Sequence, residues 1–106
     1  MYNETWSRSE KTIARRAYDD AHDRELAALA EEVRRRANRI TEPRHIWALH
    51  DFLTRKRKEI DRKYDYRYSQ LVFVFARLIR DGWLTEDELA GLGEDKLARI
   101  RLVLEL

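Results

Sequence analysis

Across residues 1–81 the chain has no glycine and a single proline, Pro43; its three glycines stand at 82, 91 and 93. Glycine and proline are the residues that most readily punctuate helices and make turns, so a chain this poor in them has few places to bend. The intervening residues are largely Ala, Leu, Arg, Lys and Glu, which lose little on entering a helix. This pattern predicts an all-α fold of a few long helices. The apolar run Leu71-Val72-Phe73-Val74-Phe75-Ala76 would suit a buried strand on propensity. A lone strand has nothing to pair with, however, and Arg77 and Arg80 flank Leu78 and Ile79 with helical spacing.

Ser7 and Glu10 have the S-x-x-E spacing of a capping box, so the first helix is expected to start at Ser7 or Ser9 and to run to Ile40. Such a helix would be about 48 Å long at 1.5 Å per residue. Leu26, Ala30, Val33, Ala37 and Ile40 recur at steps of four and three, the seam of a helix that packs on another; Ile13, Ala14, Ala17, Tyr18 and Ala21 continue it more weakly. Thr41-Glu42-Pro43 reads as a turn and restart, with Thr41 as N-cap and Pro43 in the first turn. The second helix carries one stripe of Ile46, Leu49, Leu53 and Ile60, beside another of Trp47, His50, Thr54 and Arg57, with Phe52 nearly opposite. Residues 64–69 read as a bend before a third helix that Asp81-Gly82 ends. Thr85-Glu86-Asp87-Glu88 is a second capping box, and a last helix from Glu94 places Leu97, Ile100, Val103 and Leu104 on one face.

Two regions are therefore expected: residues 1–64 as a long antiparallel helical hairpin that mediates dimerisation, and residues 65–106 as a small helical head. A hairpin two helices thick cannot enclose a core, and pairing two copies as a homodimer solves that problem. Leu26, Val33, Ile46, Leu49 and Leu53 would lie in the dimer interface. If two copies of the second helix cross about a two-fold axis near Thr54, Asp51 of one faces Arg57 of the other, with Trp47 and His50 close by. The head's aromatic run cannot be buried on every side in so small a unit. Phe73, Val74 and Phe75 are therefore candidates for a docking surface, with Arg99 as a charged rim.

Composition narrows the function. The 22 basic and 20 acidic residues leave a formal charge of +2, which disfavours a dedicated nucleic-acid binder. The absence of cysteine removes disulfides, thiol nucleophiles and thiolate metal sites. Residues 71–76, the longest apolar run, fall far short of the ~20 that a spanning helix needs. Residues 1–10 contain no apolar segment of a secretion signal, so a cytoplasmic protein is expected. His22 with Asp19 and Asp23 makes a poor cage for a metal. Neither a Ser-His-Asp set nor a P-loop nor H-E-x-x-H is present, and adjacent His50 and Asp51 are about 100° apart on a helix. No enzyme, cofactor or metal is expected.

The stretches Ile46-Trp47-Ala48-Leu49-His50-Asp51-Phe52-Leu53, Lys56-Arg57-Lys58-Glu59-Ile60-Asp61-Arg62-Lys63-Tyr64-Asp65, Val72-Phe73-Val74-Phe75-Ala76-Arg77-Leu78 and Asp81-Gly82-Trp83-Leu84 resemble the fluorescence recovery protein family. The tail, Glu88 to Leu92 and Asp95 to Ile100, is similar too. The resemblance implies an all-α dimer with no enzymatic activity. Its partner would be the photoactivated orange carotenoid protein of cyanobacteria, bound at that protein's C-terminal domain. Binding would hasten return to the resting orange state and end phycobilisome quenching. The family's characteristic residues fall on Trp47, His50, Asp51 and Arg57 near the dimer interface, and on Phe73 and Arg99 in the head; the last position is usually Lys. The alternatives are a related helical adaptor with a different partner and a basic nucleic-acid binder.

Overall fold

The computed structural model describes residues 5–106. These form α1 (Arg8–Asn38), α2 (Pro43–Lys63), α3 (Leu71–Asp81), a short 3-10 helix (Glu86–Leu89) and α4 (Glu94–Leu104), with no strand among the described residues. The first four residues of the expected hairpin lie outside them. The ends of α1 follow from local chemistry. Glu10 N–H donates to Ser7 Oγ at 3.1 Å and Ser7 N–H donates to Glu10 Oε1 at 2.9 Å, which closes the capping box. At the start of α2 the expected cap is corrected. Glu42, not Thr41, occupies the N-cap and makes no side-chain cap bond, while Thr41 N–H donates to His45 Nδ1 at 3.2 Å. Gly82 (φ 87°) ends α3 in the left-handed conformation that favours glycine. The Thr85 capping box forms, but Gly91 and Gly93 follow so closely that it starts only one 3-10 turn.

The core draws on residues from both sides of residue 64. Ala14, Ala17 and Ala21 of α1 are buried together with Leu71, Phe75 and Leu78 of α3, Leu89, and Ile100 of α4. Small alanines let α1 approach the head closely. Gly91 takes a φ of 103°, which side-chain-bearing residues rarely adopt, and a Cβ there would come within 2.5 Å of Ile13 Cδ1, so glycine suits this turn past α1. The N-terminal half of α1 is thus one wall of the head, and the free hairpin consists of the remainder of α1 with α2. In α2 only Phe52 and Ile60 are buried, and the Arg36 guanidinium lies 3.7 Å from the Phe52 ring centre. The molecule measures 53 × 26 × 25 Å with a radius of gyration of 16.9 Å. A compact domain of this length would have about 13 Å. Much of the hairpin is therefore uncovered within one chain.

Candidate functional site

Two exposed faces stand out. The first is the hairpin's outer side. Trp47 is 65% exposed and Ile46 50%, Leu26 is also exposed, and Val33, Leu49 and Leu53 are half-buried. Leu26 and Leu53 line an open groove of about 300 Å³ between α1 and α2, shared with His22 and Arg57. The rings of Trp47 and His50 meet edge to face at 6.4 Å, and His50 Nδ1 lies 3.4 Å from Asp51 Oδ1. Asp51 and Arg57 are both strongly exposed, and Arg57 approaches Asp61 at 3.9 Å rather than Asp51. Exposed contacts of this kind contribute at most about 1 kcal/mol, so both side chains can turn toward other partners. All nine residues expected at a dimer interface thus lie on α1 and α2, exposed or half-buried.

The second face is on α3. Phe73 is 47% exposed, whereas Val74 is 6% exposed and Phe75 fully buried. The expected docking trio is thereby reduced to Phe73. Helical geometry turns neighbouring side chains about 100° apart, and the α1 alanines and α4 take up the sides on which Val74 and Phe75 stand. Arg77 is one turn from Phe73 and donates to Asp81 Oδ2 at 3.0 Å, while Arg80 donates to the Val103 carbonyl at 3.1 Å. Arg99 is half-buried on α4.

A half-buried polar junction, not anticipated from the sequence, ties α1, the end of α2 and α3 together. Lys63 Nζ lies 2.7 Å from Glu25 of α1 and 3.2 Å from Asp81 of α3. Tyr64 donates to Glu25 Oε1 and Tyr18 donates to the Tyr64 carbonyl, each at 2.8 Å. Burial, then the hydrogen bond to Glu25, pushes the Tyr64 phenol far above its ordinary range, so it remains a donor. His22 meets the Tyr64 ring edge to face at 4.9 Å, which gives it a packing role beside that tyrosine.

Among the described residues no group of three His, Cys, Asp or Glu side chains is placed to hold a metal, and no helix is long and apolar enough to cross a membrane. The basic run of α1 is neutralised locally, with Arg34 on Glu31 and both Arg35 and Arg36 on Glu32.

Comparison with known proteins adds to this geometry. The family described as photoprotection regulator fluorescence recovery protein matches residues 6–104. The fluorescence recovery protein of Synechocystis sp. is 42% identical over 101 residues, covering 95% of this chain and 93% of the relative. The structure of the Fremyella diplosiphon fluorescence recovery protein superposes with a TM-score of 0.91 at 51% identity, covering 96% of this chain and 100% of that one. The Synechocystis structure does so with the same TM-score and coverage at 41% identity. With its whole described fold matched, and with the Trp47–Arg57 segment and the α3 aromatic inside the matched region, the chain belongs to the fluorescence recovery protein family.

Proposed function

We propose that this chain acts as a homodimer that binds photoactivated orange carotenoid protein at its C-terminal domain and speeds return to the orange state, ending phycobilisome quenching in the cytoplasm. The observation that supports this reading is that Trp47 and Phe73 are the two most exposed of the Trp, Tyr and Phe side chains among the described residues. Exposed aromatics beside arginines are the usual anchors of protein interfaces. No covalent chemistry is required. An accelerator that is not consumed must bind the barrier between two partner conformations more tightly than it binds the activated state. The test is to mix the chain with photoactivated orange carotenoid protein and time the red-to-orange return in darkness. Faster recovery at substoichiometric amounts is expected, and an unchanged rate overturns the reading.

Dimerisation supplies the cover that the hairpin lacks. Ile46 tests it well, because it is half-exposed in one chain and a polar replacement leaves the head's core intact. Ile46→Glu puts an unpaired carboxylate into the seam at a cost of about 3–5 kcal/mol, and weakens the dimer a hundredfold or more. Sedimentation at micromolar concentration is expected to show a monomer. An unshifted dimer would place the interface on another face.

A further inference from the structure

Most cations in this chain have a carboxylate beside them: Arg15 on Asp19, Arg24 on Glu88, Lys56 on Glu59, Arg57 on Asp61, Arg77 on Asp81 and Arg101 on Glu86. Arg8, Arg16 and Arg39 have none among the described residues but are scattered, whereas three exposed cations without one stand together on α2. Arg55 and Lys58 have no ion-pair partner among the described residues, and Arg62 donates only to the Lys58 carbonyl, at 3.3 Å. At 100° per residue the three fall within about 60° of arc, spaced over roughly 10 Å of helix. They stand about 100° or more around α2 from Ile46, Leu53 and Arg57, and follow Trp47 and Asp51 along the same side of the helix. The strip does not stop at the end of α2. Arg62 and Arg77 line one open groove of about 310 Å³ with Glu59 and Lys63, and Arg77 is one turn from exposed Phe73.

We propose that Arg55, Lys58 and Arg62 form a docking strip for carboxylates on a protein partner, continuous through Arg77 with the Phe73 face. The proposal rests on the reading of α3 as a docking face and gives its partner a chemistry: an apolar spot flanked by an acidic surface. The charge pattern favours a protein over a polyphosphate. Asp51 stands one turn before Arg55 on the same side, and Glu59 interrupts the row in the groove, so the strip offers a few separated cations where a dense phosphate chain needs an unbroken row. Three cations do suit a short row of carboxylates, where charge complementarity chiefly raises the association rate and fixes orientation.

Two measurements test this. In an amide NMR titration with a poly-glutamate peptide at about 20 mM salt, where screening is weak, shifts confined to residues 55–62 and 77 are expected. Shifts scattered over α1, no shifts, or stronger binding of a DNA duplex to the same residues would each overturn it. In the second, Arg55→Gln, Lys58→Gln and Arg62→Gln are combined in the full chain, with circular dichroism and sedimentation confirming an unchanged fold and mass. Association with photoactivated orange carotenoid protein is expected to slow about tenfold at low salt and to lose most of its salt dependence. A triple variant that associates as fast as the parent removes the strip and leaves the proposed function standing. A parent chain that does not act on that protein, yet shows the localised peptide shifts, loses the proposed function and keeps the strip.

Discussion

Lys96→Ala is expected to lower the free energy of unfolding by about 3–5 kcal/mol, the range for leaving one member of a buried ion pair without its partner. Lys96 is 2% exposed. Its ammonium lies 3.0 Å from Glu10 Oε2, donates to the Thr5 carbonyl at 2.7 Å, and sits 5.0 Å from the centre of the Trp6 ring. Glu10 in turn accepts from Ser7 N–H at 2.9 Å and from Gly93 N–H at 2.8 Å. One carboxylate thus closes the start of α1 and takes up the N-cap amide of α4. Losing the lysine strands a buried negative charge at the place where the start of α1 meets the start of α4. With total stabilities of about 5–15 kcal/mol, the loss is a large fraction of the whole. Urea unfolding measures it. The double variant Glu10→Gln, Lys96→Met should lose less than the sum of the single changes, because neither charge is then left alone. Strict additivity would show that the two do not act as a pair.

The same pair sets an acid limit. Burial alone would raise the Glu10 pKa, but the amides of Ser7 and Gly93, and then Lys96, outweigh it and hold the carboxyl at about 2, against an ordinary 4.5. A lowered value means that the contribution is fully present above pH 4.5 and is lost as pH falls toward 2. Stability of the parent should therefore decline across that window, and Glu10→Gln should show a shallower decline there. Parallel curves would mean that Glu10 does not carry the acid sensitivity.

What could be read from the sequence was local. The capping box at Ser7, the restart at Pro43, the stop at Gly82 and the seam of α2 each depend on residues within a turn or two of one another. Interactions between distant residues left no comparable mark. Glu10 and Lys96 are 86 residues apart, and Glu25 and Lys63 are 38 apart. Ala14, Ala17 and Ala21 read equally well as a weak extension of the hairpin seam, and only the fold shows that they wall the head. Phe52 looked stranded opposite the apolar stripes. It is buried because Arg36 reaches across from α1 to cover it. The exposed apolar positions of α2 were legible for the converse reason. Ile46 and Trp47 are apolar at positions that no other part of a chain this short can reach.

The aromatic pair of α3 gives the sharpest contrast. Phe73 and Phe75 are two residues apart and chemically identical, so their different surroundings should separate stability from partner binding. Phe75 has no exposed surface and packs with the alanines of α1 and Ile100 of α4. Phe75→Ala removes a ring that no neighbour can replace, at a cost of about 3–5 kcal/mol. Phe73 lies 47% exposed on the opposite side of the helix. Phe73→Ala should change unfolding by no more than about 0.5 kcal/mol, as surface substitutions do. If Phe73 anchors the partner, its loss should weaken association by about 1–2 kcal/mol, or roughly tenfold. Chemical unfolding and association with photoactivated orange carotenoid protein, measured on both variants, give a crossed pattern if this assignment holds. A Phe73→Ala chain that binds as tightly as the parent would move the docking site off α3. A Phe75→Ala chain of parental stability would mean that the Phe75 ring is not held between the α1 alanines and α4.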